Sequence, residues 1–178
     1  AMHTFNVTTT TSRHTLQIDD EAVVIGSYKI TATRQYGLTI CARNKNQVGN
    51  FTTQKVFSAH IKKNGTLVRD FIPVRVGQVG YLYDKVSGQL FGNNGTGSFI
   101  LGPDKPLPPG YTQLEYISST SSGHQYIDLG IKLYETLGTD YDIAIKAKAK
   151  ALSSGMSQSF LFGCQEDASP YPGTFLRL

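Results

Sequence analysis

The sequence lacks tryptophan and long apolar runs, and it has only two cysteines and two methionines among 178 residues. No apolar run approaches the roughly 20 residues that a membrane-spanning helix needs, so we expect no membrane insertion. Residues 1–4 also lack the charged and then apolar pattern of an export signal, and we expect such a signal to be absent or already removed. These absences predict a chain that is soluble as given.

The two cysteines, Cys41 and Cys164, are far apart and lie in apolar, strand-like contexts. There is no CxxC pair and no histidine at a zinc-ligand spacing, which argues against a metal site built on sulfur. Two alternatives stay open for them: one disulfide, or two buried free thiols that pack as small hydrophobic groups.

Charge is also sparse, since charged residues make up 17% of the chain and the net charge is +4. The lysines and arginines are scattered, without a basic stripe interleaved with aromatic residues, so we do not expect nucleic acid as a partner. What the sequence has in quantity is glycine, threonine, serine, tyrosine and phenylalanine, which favour strands and turns. Helical periodicity over three turns is missing, and we predict little or no helix.

Period-two alternation is clearest in residues 142–151, where Ile143, Ile145 and Ala147 alternate with lysines. The pattern predicts a half-buried strand with a row of lysines in water. An anion site is the other interpretation of the lysine row, but a solvated face is favoured.

Turn residues predict two β-hairpins. In residues 56–70 the turn is Asn64-Gly65, and both residues tolerate positive φ. In the second hairpin, strand 80–84 and residues 89–91 flank a turn at 85–88. Further strands are predicted at 15–18, 22–30, 36–42, 98–101, 113–117, 125–129 and 159–163. So many short strands indicate a sandwich or a barrel.

A composition break occurs at residues 102–110, where four of nine residues are proline. Proline cannot donate a ladder hydrogen bond, so this stretch is predicted to be a stiff, extended linker outside the sheets. The segments on either side of it, 1–102 and 111–178, each have too few strands for a two-sheet sandwich. Each segment therefore needs a partner.

Several motifs resemble a known family. The stretches 64–75, 79–84 and 91–99 resemble the closing portion of a concanavalin A-like (laminin G-like) domain of gut bacterial surface proteins and phage tail or fibre proteins. Residues 107–117 and 125–130 resemble the opening portion of the same domain. The resemblance implies an all-β, two-sheet antiparallel jelly-roll sandwich. It departs from the family at Val74, where a cysteine is often found, so no disulfide is implied there.

The two portions stand in reversed order along the chain. Residues 1–102 correspond to the closing portion, 103–110 to the proline-rich linker and 111–178 to the opening portion. Either the chain is one circularly permuted domain, or it spans two tandem copies. We slightly favour closure of the halves on each other, because the first and last strands of such sandwiches are neighbours. The alternative, exchange of halves between chains, would give a fibre or a ring.

Sugar recognition needs aromatic faces and planar polar groups near strand ends. Six residues fit this requirement and are our candidates for carbohydrate binding: Tyr36, Arg43, Asn44, Gln165, Tyr171 and Arg177. No cofactor is expected. Calcium is a minor alternative, through convergence of Asp128, Asp140 and Asp142.

Enzymatic residues are not evident. A glycoside hydrolase needs two facing carboxylates, and only Asp140 and Asp142 alternate along a strand. No serine lies in a GxSxG motif, and the four histidines have no motif partner.

The sequence therefore favours a non-enzymatic, lectin-like module for glycan binding or adhesion, located outside the cell on a virion or cell surface. Its expected partners are a glycan or cell-surface polysaccharide, and other copies of itself or neighbouring domains of the same polypeptide. The alternative is a structural jelly-roll module that builds or decorates a viral shell or fibre. A glycoside hydrolase ranks third.

Overall fold

A computed structural model describes residues 2–9, 14–26, 37–45, 47–105, 112–120, 122–132, 143–151, 160–165 and 173–177. The described residues form strands and turns without helix, which confirms the all-β prediction, and none of them belongs to a helix that could cross a membrane. The strands are β1 (His3–Thr9), β2 (His14–Ile18), β3 (Val24–Gly26), β4 (Gly37–Ile40), β5 (Arg43–Lys45), β6 (Gln47–Gly49), β7 (Gln54–Lys63), β8 (Thr66–Val76), β9 (Val79–Asp84), β10 (Gln89–Phe91), β11 (Ile100–Leu101), β12 (Asp104–Lys105), β13 (Thr112–Leu114), β14 (Ile117–Ser119), β15 (Ile127–Lys132), β16 (Ile143–Ala151), β17 (Phe160–Gln165) and β18 (Gly173–Arg177).

Two sheets contain all of these strands. The larger sheet has the order β10-β9-β8-β7-β16-β1-β2-β3, and its neighbours are antiparallel. Strand β14 extends it beside the start of β7, and β13 extends it beside the end of β8. The smaller sheet has the order β15-β4-β17-β5-β6, with β18 beside β17, and only the β17–β5 pair is parallel.

The buried side chains of the two sheets form one core. The larger sheet contributes an inward row that includes Phe5, Ile61 and Ile145, and the smaller sheet contributes residues such as Leu38 and Leu161. Alternation causes this arrangement, because every second residue of a strand points to the same side. A gap of about 10 Å³ between the sheets has only aliphatic residues around it, so it is a dry packing gap and not a ligand pocket.

Strand β16 confirms the prediction of a half-buried strand with exposed lysines. Ile145 and Ala147 are buried, whereas Lys146 and Lys148 are exposed. The strand lies between β1 and β7, in the middle of the larger sheet. Its lysines therefore extend from the centre of a sheet surface.

Both predicted hairpins are present. At the β7–β8 turn, Asn64 and Gly65 have φ of 48° and 79°, as the prediction requires. At the β9–β10 turn, the buried Asp84 carboxylate accepts hydrogen bonds from the Val86 amide (3.1 Å) and the Ser87 hydroxyl (2.6 Å). It also accepts one from the Asp70 amide at 2.9 Å. Burial alone would raise the pKa of Asp84, but these hydrogen bonds outweigh it and the pKa is lowered.

The linker prediction is wrong at its start, because Asp104 and Lys105 pair with β13. These two residues lie between prolines and keep their own amides, so a short ladder forms. The predicted strand at 113–117 is divided into β13 and β14, since Glu115 and Tyr116 bond instead to the backbone of Pro103 and Gly102. Residues 106–111 lie outside the described residues.

Two other strand predictions differ from the structure. The strand predicted at 36–42 ends at Ile40, because Cys41 has a φ of 70° and leaves the ladder. Of the strand predicted at 22–30, β3 covers 24–26, and 27–30 lie outside the described residues. Strand β1 was not predicted.

Strands from both sides of the linker share one sheet. Strand β16 pairs with β7 and β1, β14 pairs with β7, and β13 pairs with β8. The described strands of residues 112–151 thus lie among those of residues 1–102 within a single chain.

Cys41 is a free, buried cysteine, so the disulfide alternative does not hold for it. Burial raises the pKa of its thiol, which keeps the thiol protonated. Cys164 lies in β17, and its side chain is outside what the structure describes.

Candidate functional site: an aromatic platform

Three aromatic side chains meet where the loop after β6 contacts the turn between β14 and β15. The Phe51 ring stacks on the His124 ring, with centroids 4.5 Å apart and an interplanar angle of 26°. The Tyr126 ring lies 6.2 Å from Phe51 at 44°. His124 is exposed, and Phe51 and Tyr126 are partly exposed. We call these three residues the aromatic platform.

The side chain of Asn93 holds the loop after β10 against the platform. Its carbonyl oxygen accepts hydrogen bonds from the amides of Gly95 (2.9 Å) and Tyr126 (3.2 Å). Its amide group donates to the carbonyls of Thr96 (3.3 Å) and Gly97 (3.0 Å). One asparagine thus satisfies four backbone groups and fixes the loop to the backbone of Tyr126.

Asn94 and Asp128 supply polar groups beside Tyr126. The backbone amide of Asn94 donates to the Tyr126 carbonyl at 2.9 Å. The side-chain oxygen of Asn94 accepts from the backbone amide of Asp128 at 3.0 Å. The Asp128 carboxylate accepts from the Gly130 amide at 2.8 Å. Asn94 is exposed and Asp128 is half-buried, so an amide and a carboxylate border the platform.

The buried side chain of Gln125 holds the turn that carries His124 in place. Its side-chain oxygen accepts from the Thr120 amide at 2.9 Å, and its nitrogen donates to the Ser98 carbonyl at 3.1 Å. Gly95 lies directly against this turn, because a Cβ atom there would overlap the His124 carbonyl oxygen. Only glycine allows this close approach.

Two of the six predicted binding residues have described side chains, and one of them, Arg43, contacts the residue before Phe51. The Arg43 guanidinium donates to the Asn50 side chain at 2.9 Å, and Asn50 directly precedes Phe51. The Asn44 side chain donates to the Gly37 carbonyl at 3.2 Å. The Asp128 carboxylate lies against the same glycine, 2.8 Å from where its Cβ would be.

For the other four predicted residues, the structure describes no side chain. Tyr36 and Tyr171 lie outside the described residues. Gln165 and Arg177 belong to β17 and β18, but their side chains are not described. In the β17–β18 ladder Gln165 pairs with Gly173, whereas Arg177 pairs with Phe160. The two residues therefore lie about 17 Å apart, at opposite ends of the ladder.

Sequence reasoning missed the platform itself. Phe51 and His124 lie in loops that no periodic pattern marks, and Tyr126, which falls within the strand predicted at 125–129, lies just before β15. The signal that could have pointed to them is aromatic residues next to asparagine- and glycine-rich turns, at Asn50-Phe51 and in residues 123–126.

Flat rings beside amides, a guanidinium and a carboxylate suit a ligand with an apolar face and hydroxyl groups. No group of three or more potential metal ligands occurs among the described residues. Asp140 and Asp142 lie outside that part of the chain, so the calcium alternative stays a prediction.

Comparison with known proteins identifies no relative: no protein family, no curated protein and no solved structure matches the chain. The functional argument therefore depends on the geometry of the site.

Proposed function

We propose that the chain is a non-enzymatic, lectin-like module that binds glycans through the aromatic platform. The observation that carries this proposal is the partly exposed Phe51–His124 stack with Tyr126 beside it. A pyranose ring has an apolar C–H face that packs on such rings. The hydroxyls of the sugar can bond to the side-chain amide of Asn94 and to the carboxylate of Asp128.

The platform is held in place by the protein's own hydrogen bonds. Asn93 and Gln125 fix the two loops that carry it, and both act through backbone groups. A site ordered in this way loses little conformational entropy on binding, which favours affinity for a weakly interacting ligand such as a sugar. Arg43 and Asn50 would extend the site along the bound glycan.

The fold supports a more specific assignment as a circularly permuted concanavalin A-like jelly roll. Two mainly antiparallel sheets share one core, and in the larger sheet β16, from beyond the linker, lies between β7 and β1. In a permuted domain the halves hold together without the covalent link. A protease site inserted within residues 106–110 should therefore give fragments that co-elute at monomer mass after cleavage. A ladder of larger species before cleavage would favour exchange between chains.

Glycan binding by a non-enzymatic module implies an adhesive role at an extracellular, virion or cell surface, with polysaccharides as partners. Its non-enzymatic nature can be tested on a polysaccharide panel. Hydrolysis that disappears in Asp140→Asn or Asp142→Asn would overturn this part of the proposal.

A structural module of a shell or fibre is the second candidate function. Strand β3 ends the larger sheet among the described residues; Ile25 in it is 61% exposed and Val23, just before it, is 46% exposed. Apolar residues on an outermost strand could pair with another copy. Light scattering distinguishes the two functions, since a lectin domain stays monomeric at concentrations where a self-assembling module gives higher species.

The experiment that tests glycan binding begins with a glycan array and continues by calorimetry with the strongest neutral glycan. Phe51→Ala should weaken binding by about 10- to 100-fold, because it removes the stacking ring. Phe51→Tyr is the matched control and should bind as the wild type does, since it keeps a flat ring. No binding by the wild type, or equal binding by Phe51→Ala, would contradict the proposal.

A further inference from the structure

The outer surface of the larger sheet carries a second set of chemically related side chains. Lys146 and Lys148 on β16 and Lys62 on β7 are exposed on this surface, and His60 lies beside them. Between and around these cations are hydroxyl and amide side chains of three strands: Thr4, Asn6 and Thr8 on β1, Thr15 and Gln17 on β2, and Ser58 on β7. We call this surface the lysine face.

The strand register sets the spacing of the lysine face. Lys146 pairs with His60 on one side and Asn6 on the other, and Lys148 pairs with Ser58 and Thr4. Neighbouring strands are about 4.8 Å apart, and alternate residues of one strand are about 6.6 Å apart. The cations thus form a regular array, with hydrogen-bonding groups between them at intervals of about 5–7 Å.

The positive charge of this face is not neutralised by the described carboxylates. Two described carboxylates border it. Asp70 contacts His60 Nδ1 at 2.9 Å and Lys85 Nζ at 2.6 Å, and Asp19, which accepts from the Thr4 amide, contacts His3 Nδ1 at 2.8 Å. Among the described residues, none of the ion pairs involves Lys62, Lys146 or Lys148. Like charges that are kept close together without counter-charges favour a polyanionic partner.

An aromatic pair adjoins the lysine face. The β7–β16 ladder shifts register between Lys148 and Ala149, which places Phe57 at a bulge. The Phe57 ring lies 5.4 Å from the Tyr116 ring, and Lys55 Nζ lies 3.8 Å above Tyr116. Both rings are partly exposed. Bulges often redirect a side chain toward a functional surface, and here the result is a stacking position next to cations.

We infer that the lysine face binds an acidic polysaccharide that carries carboxylate or sulfate groups. Sequence alone favours a solvated face, but the central position of β16, the lysines without ion pairs among the described residues and the aromatic pair together indicate a ligand. The threonine, asparagine and glutamine side chains suit sugar hydroxyls, whereas an acyl chain offers them no partner. A single-stranded nucleic acid would need aromatic residues that alternate with cations, so that successive bases can stack. Here the two aromatic residues stand together at one corner of the face. This inference does not depend on the aromatic platform.

The test uses polygalacturonate and its methyl ester, which has the same backbone without the charge. We expect the wild type to bind the acid form, to lose affinity as salt rises and to bind the ester much more weakly. Lys146→Gln/Lys148→Gln should reduce affinity for the acid form by about tenfold. Lys148→Gln alone should lose a few-fold, whereas Lys105→Gln, which removes the same charge from an exposed position on β12, should have no effect.

Phe57→Ala separates stacking from net charge, because it should weaken binding of the acid form without changing the salt dependence. Equal binding of acid and ester, or equal losses in Lys148→Gln and Lys105→Gln, would overturn the inference. Tighter lysine-dependent binding to double-stranded DNA or to vesicles of anionic lipid would also overturn it and would identify the other class of partner.

Discussion

The aromatic platform and the lysine face are built in different ways. Loops from distant parts of the chain form the platform, and side-chain hydrogen bonds such as those of Asn93 and Gln125 hold it together. The lysine face lies on regular strands, and the sheet register alone determines its spacing. A loop-built site depends on single contacts, whereas a strand-built surface depends on the stability of the whole sheet.

The largest effect is expected from the core that supports both surfaces. Phe71 is fully buried, and its ring meets that of Phe91 at 88° with centroids 5.3 Å apart. Phe71→Ala should lower the free energy of unfolding by about 3–5 kcal/mol, measured by urea denaturation, and should weaken both binding activities together. Leu67→Ala, at an exposed position of the same strand, should cost less than about 1 kcal/mol. A loss below about 1 kcal/mol for Phe71→Ala would show that this strand is not part of the core.

Asp84 gives an intermediate effect that should spare both surfaces. Asp84→Asn should cost about 2–3 kcal/mol, because the buried carboxylate accepts four hydrogen bonds and an amide cannot satisfy them all. The pKa of Asp84 is lower in the folded protein than in the unfolded chain. The ionised carboxylate therefore contributes its full share to the free energy of unfolding above the ordinary carboxyl pKa near 4, and this share is lost as pH falls through the lower pKa of the folded state.

The measurement for Asp84 is urea unfolding of the wild type and the variant from neutral to acidic pH. Their difference should be constant near neutral pH and should shrink below about pH 4. A difference that grows on acidification would show that the carboxylate is not stabilised in the folded state. Loss of either binding activity at neutral pH, with the protein still folded, would show that the β9–β10 turn belongs to that site.

Gly95→Ala should separate the two surfaces. The added methyl group overlaps the His124 carbonyl, so we expect a loss of about 1–2 kcal/mol in stability and displacement of the platform. Neutral glycan binding should fall while binding of polygalacturonate stays unchanged. Gly49→Ala is the control, because nothing lies within 4 Å of its added Cβ. Unchanged glycan binding in a folded Gly95→Ala protein would contradict the platform's dependence on this contact.

Much of the strand structure could be predicted because alternation and turn chemistry are local properties. The lysine strand β16 and the Asn64-Gly65 hairpin follow from a few neighbouring residues. Strand β1 was not predicted because only Phe5 and Val7 carry its alternation, and its place beside β16 comes from pairing across more than 130 residues.

The candidate site was less predictable than the strands. Arg43 and Asn44 were expected from their position near strand ends, and the structure places Arg43 against Asn50, which precedes Phe51, and Asn44 against Gly37 at the start of β4. Phe51 and His124 are 73 residues apart, and only the assembled sheets bring their rings together. No local pattern contains that information.

The most direct test of two separate binding surfaces is one calorimetric comparison of three proteins: the wild type, Phe51→Ala and Lys146→Gln/Lys148→Gln. Each is titrated with the neutral glycan selected on the array and with polygalacturonate. The account predicts that Phe51→Ala loses only the neutral glycan and that the lysine variant loses only polygalacturonate. Loss of both ligands in either variant, with the fold intact, would contradict it.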